Sequence, residues 1–298
     1  MKVETWVKTV LLVAVLVGIF YLFGTVLGQV EERIGLADLL ALDLGGWGQL
    51  IVTLLVVTVM AVSVAGVSAV LVRSVWLCAG AGVLVALAVV SGWQGKVTVA
   101  FVTSPLGGGV LLVVVASLWI YMKGVAADID NRIKFSKGSL GVGLTLLLLC
   151  LVALVSLAFY RGAAERIKSV TFESLLDNLK VEEFLEEGIA KWMPEEAREE
   201  IPAEELEKFK RELREQLGQL GPQIDPYLKY IPYALALSVL QFLSFLTLPI
   251  SWLCPWVAGG ILSLLKLVGV VRVRRGPVII ERLSLEEADF SDELSENE

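Results

Sequence analysis

Histidine is absent from the 298 residues, and its absence excludes His-ligated zinc, the H-E-x-x-H metalloprotease pattern and a Ser-His dyad. Charge is missing where the chain is most apolar. The cores of the runs near Val7–Gly28, Leu50–Val72, Val75–Val90, Gly107–Met122 and Leu140–Tyr160 hold no Asp, Glu, Lys or Arg. An ionisable group at the bilayer centre costs roughly 3 kcal/mol or more unless it is used. The runs therefore argue against a carboxylate proton relay and a paired-aspartate protease. Cysteine is limited to Cys78, Cys150 and Cys254, each inside an apolar run. These read as small buried side chains and not as a disulfide framework or a metal set. No extended basic surface argues for nucleic acid. The sequence thus predicts no cofactor, no metal and no enzyme.

What the chain has instead is apolar length. Hydrophobic residues make up 56% of it and the mean hydropathy is +0.75, values of a polytopic membrane protein. A helix needs about twenty apolar residues to cross a hydrocarbon core of about 30 Å. The predicted fold is an all-α integral membrane protein with about seven apolar transmembrane helices and a soluble amphipathic helical insert between the fifth and sixth. Residues 1–160 form the five-helix transmembrane region, 161–229 the acidic insert, 230–271 an apolar block, and 272–298 a short β-like segment with an acidic tail. The first run is longer than a signal-peptide core and lacks an A-x-A site, so it reads as a retained helix. The stretch Thr103–Gly109 (TSPLGGG) reads as a helix break at the membrane interface or shielded by neighbours.

Within the insert, Val181, Phe184, Leu185, Ile189 and Trp192 recur at helical spacing, as do Leu206, Phe209, Leu213 and Leu217, with charged residues between them. Phe184, Trp192, Leu206, Phe209 and Leu213 form the predicted interaction face, for a protein partner or for self-association. In the apolar block, Ser238, Gln241 and Ser244 follow three-residue spacing. They predict a polar intramembrane face turned towards other helices. Gly24 with Gly28, Ala61 with Ala65 and Ala69, and Gly80 with Gly82 read as helix-packing signals.

Basic residues in short loops mark the cytoplasmic side. With the N-terminus cytoplasmic, Lys2, Lys8, Arg73, Lys123, Arg132, Lys134 and Lys137 all fall inside, against Arg33 and Lys96 outside. After five crossings the insert is extracytoplasmic. The apolar block divides the evidence. As a single helix its roughly forty residues would span about 60 Å, twice the hydrocarbon thickness, so length favours a helical hairpin broken near Leu248–Pro255. A hairpin, however, leaves Arg272, Arg274 and Arg275 outside, against the rule. One crossing keeps them inside.

The functional expectation is a non-enzymatic scaffold or assembly protein of the cell membrane that presents a helical extramembrane module. The rival expectation is a small-solute transporter or channel, with a path between the broken fourth helix and the last two.

Overall fold

The computed structural model describes residues 3–33, 44–72, 75–95, 104–130, 140–141, 143–167 and 203–270. Among them are seven helices and no strand: α1 Val3–Arg33, α2 Leu44–Leu71, α3 Val75–Gln94, α4 Pro105–Asp130, α5 Leu144–Ile167, α6 Ala203–Leu228 and α7 Ile231–Leu267. All except α6 are long and apolar enough to cross a membrane, which gives six spans in an all-α membrane protein. The β-like segment, the acidic tail and the Val181–Trp192 half of the insert lie outside the described residues.

The membrane helices are apolar on every side, so hydrophobicity cannot choose which face packs; small residues that let backbones approach can. α1 and α3 run parallel and touch through glycine. A Cβ on Gly24 would fall on the Val89 carbonyl oxygen, and one on Gly28 would lie 2.8 Å from the Trp93 carbonyl oxygen. Ala61, Ala65 and Ala69 are buried along α2. Both signals read from sequence thus lie in packed faces, whereas Gly80 has open space around it.

α2 and α5 are the most enclosed helices and α7 lies at the periphery. α7 runs antiparallel to α5, where Ser156 Oγ donates to the Ala236 carbonyl at 2.5 Å and the rings of Tyr160 and Tyr233 stand 4.8 Å apart. It runs parallel to α2, where Ser63 Oγ donates to the Cys254 carbonyl at 3.3 Å. The C-terminal ends of α1, α3 and α5 and the α6–α7 junction therefore meet at one end of the bundle.

One expectation is corrected. The apolar block is not a hairpin: α7 is one continuous helix of 37 residues with Pro249 and Pro255 inside it. Each proline removes one N–H donor. Hydroxyls around them bond to carbonyls of the same helix, Thr247 to Ser244 at 2.7 Å and Ser251 to Leu248 at 2.7 Å, and Ser63 of α2 supports the Cys254 carbonyl. In the TSPLGGG stretch α4 starts at Pro105. Ser104 Oγ accepts from the Gly107 N–H at 3.0 Å and Pro105 occupies the first helical position, an N-terminal capping arrangement.

Candidate functional site

The polar side chains at the shared end of α1, α3 and α5 converge. Glu31 and Glu32 close α1, Trp93 and Gln94 close α3, and Arg161, Glu165 and Arg166 lie in the last two turns of α5. Together with Gly28 and Gly162 they line a recess of about 410 Å³. Arg161 Nη2 stands 3.5 Å from Glu31 Oε1, and its guanidinium carbon lies 5.5 Å from the Trp93 ring centroid. The Trp93 indole N–H donates to Glu31 Oε2 at 2.5 Å. One carboxylate thus holds a cation and an indole from two other helices, and the cation also packs on the indole face, an arrangement favourable for both.

Arg166 donates to the backbone carbonyl of Glu32. That carbonyl belongs to the last turn of α1, where backbone acceptors have no partner within the helix and the dipole favours a cation. The cluster therefore ties the three helix ends to one another. Sequence reasoning missed it because each residue terminates a different apolar run, and only the parallel packing of α1 with α3 brings the runs into line. Basic residues placed at the end of a predicted crossing, Arg161 and Arg166, were the available signal.

The predicted intramembrane face behaves differently. Against the described residues Ser238 and Gln241 are exposed and Ser244 is half-buried. Ser238 Oγ donates to the Ala234 carbonyl at 2.9 Å and Ser244 Oγ to the Leu240 carbonyl at 2.6 Å. The hydroxyls are satisfied within α7 itself, so three-residue spacing did not require a partner helix.

Two grooves between membrane helices are apolar. One of about 530 Å³ lies between α3 and α4, with Val83, Leu87, Leu111, Val115 and Trp119 among its walls. Another of about 610 Å³ lies between α1 and α3, where Val17, Gly18, Tyr21, Leu84 and Ala88 contribute. Neither has a charged wall. Among the described residues no group of His, Cys, Asp or Glu is arranged to hold a metal.

Of the predicted interaction face, Leu206, Phe209 and Leu213 lie on α6, a 26-residue helix, while Phe184 and Trp192 fall outside the described residues. Among the described residues α6 meets the bundle near its C-terminal end, where Leu228 is buried with Ile167 of α5 and Ile224 packs against them. No described helix packs along the rest of it. No protein-family model, curated protein or solved structure matches the chain.

Proposed function

We propose that this is a non-enzymatic membrane scaffold whose helical bundle anchors α6 at the extracytoplasmic surface as an interaction module. The observation that carries the reading is α6 itself, amphipathic, with charged residues between its apolar positions and no described helix packed along most of its length. Amphipathic helices in water bury their apolar stripe against something.

The single α7 supports the side assigned to α6. Exposed Tyr227, Tyr230 and Tyr233 gather where α6 joins α7, and exposed Trp252 and Trp256 lie further along. From Tyr233 to Trp252 the helix rises about 29 Å, one hydrocarbon thickness between two aromatic belts. One crossing puts the chain after Leu267 at the end opposite α6, and Arg272, Arg274 and Arg275 then join the other basic loops inside. The charge rule and the helix agree once the hairpin is removed.

The solute-path reading draws no support from the described residues, since Ser238 and Gln241 are exposed and the inter-helix grooves are uncharged. The test is a photo-reactive amino acid in place of exposed Leu220 on α6, in full-length protein in its membrane. Capture of polypeptide is the expected result; capture of lipid alone contradicts the reading.

A further inference from the structure

The apolar positions of α6 recur every eleven residues. Leu206, Leu217 and Leu228 form one series, Phe209 and Leu220 a second, Leu213 and Ile224 a third. Eleven residues in three turns is about 3.67 per turn, close to the 3.6 of an α-helix, so the three series merge into one stripe, with Pro222 and Pro226 inside the helix at its lower end. Its lower end is occupied, since Leu228 is buried and Ile224 packs with it beside Ile167. One turn further on, Leu220 is 42% exposed. The positions beyond it have no described helix beside them.

The edges of the stripe carry opposite charge. At about 98° per residue, Lys210 and Arg214 fall along one edge and Glu205 and Glu212 along the other, while Asp225, in line with Arg214, lies at the occupied lower end. Glu207 lies further round, behind the basic edge. An antiparallel pairing of two such helices sets like edges against each other. A parallel pairing sets each basic edge against an acidic one, the arrangement by which flanking charges select partner and orientation in helical coils. The membrane imposes the same direction, because in every copy α6 runs into α7 the same way round.

We infer that the stripe is a self-association surface, and that its occupant is α6 of a second copy of this chain, packed parallel and in register. The inference rests on the interaction-module reading and names its partner. A helix pair this short is marginal in free solution. Two copies anchored in one membrane meet at a high effective concentration, which offsets that weakness. A membrane surface suits the helix less well: helices that lie on lipid carry a Lys/Arg-rich polar face, whereas Glu204, Glu205, Glu207, Glu212 and Glu215 outnumber the basic residues of α6.

The test uses the full chain in membranes with Cys78, Cys150 and Cys254 replaced by Ala. Under mild oxidation, Leu206→Cys and Leu213→Cys each give a disulfide-linked dimer, while Arg211→Cys and Glu215→Cys, on the opposite side of the helix, do not. In the Leu213→Cys background, K210E/R214E and E205K/E212K each lose the dimer when expressed alone. Co-expressed, the two edge variants recover it as a heterodimer, which also shows that both are folded. Equal crosslinking from all four positions, or edge variants that dimerise as well as the parent, overturns the inference. If Leu213→Cys gives no dimer while the photo-reactive residue at position 220 captures another protein, the second-copy partner is wrong and the interaction reading stands. If position 220 captures only lipid, both fall.

Discussion

Gly92 of α3 sits directly against Gly24 of α1: a Cβ on Gly92 would lie 3.1 Å from the Gly24 carbonyl carbon and 2.9 Å from the Thr25 nitrogen, and would fall on the Tyr21 carbonyl oxygen. The obstacles are backbone atoms, which cannot rotate away. Gly92→Ala and Gly24→Ala must therefore push α1 and α3 apart, at a cost of about 1–3 kcal/mol each. Gly80→Ala, with open space around it, should be neutral or slightly stabilising. Unfolding of the purified protein in detergent measures the contrast; equal effects at the three positions would remove the glycine contact from the account.

Gly66 and Tyr121 are coupled through a hydroxyl. The Tyr121 O–H donates to the Leu140 carbonyl at 3.1 Å, and a Cβ on Gly66 would lie 2.8 Å from that oxygen. Gly66→Ala should destabilise, and so should Tyr121→Phe, which removes the donor from a buried carbonyl, by about 1 kcal/mol. In the double variant the hydroxyl that Ala would strike is gone. The combined cost should fall below the sum by at least about 0.5 kcal/mol in an unfolding cycle. Strict additivity would contradict the geometry.

The Glu31–Arg161 pair is shielded, with side chains 17% and 25% exposed. Each of Glu31→Gln and Arg161→Gln should cost about 1 kcal/mol, with the double variant costing less than the sum, because removing one partner leaves the other charge poorly compensated. Trp93→Phe, which keeps a ring under Arg161 but loses the indole donor, should cost less than either. The same unfolding cycle reads all three, and independent effects of Glu31 and Arg161 would reduce the pair to proximity.

The sequence made the apolar spans plain. Val7–Gly28, Leu50–Val72 and Val75–Val90 anticipate α1, α2 and α3, because a run of uncharged residues long enough to cross a bilayer has few other stable fates. It misled at proline. Pro249 and Pro255 read as a turn, yet both lie inside one continuous helix. Ser238 and Gln241 read as an inward face, yet a serine can satisfy itself on its own helix. The Glu31–Trp93–Arg161 cluster depends on which helices become neighbours, and that is set by Gly24 and Gly92 meeting across a long separation in the chain. Hydrophobic periodicity carries no such information when a helix is apolar all round.

In the proposed topology α7 crosses once, with α6 outside and the C-terminal tail inside. In a background with Cys78, Cys150 and Cys254 replaced, Lys208→Cys on α6 and Ser295→Cys in the tail are probed in intact cells with a membrane-impermeant thiol reagent. The account predicts that position 208 labels at once and position 295 only after the membrane is permeabilised. Labelling of both from outside would mean that the apolar block crosses twice, and labelling of position 295 alone would invert the whole protein.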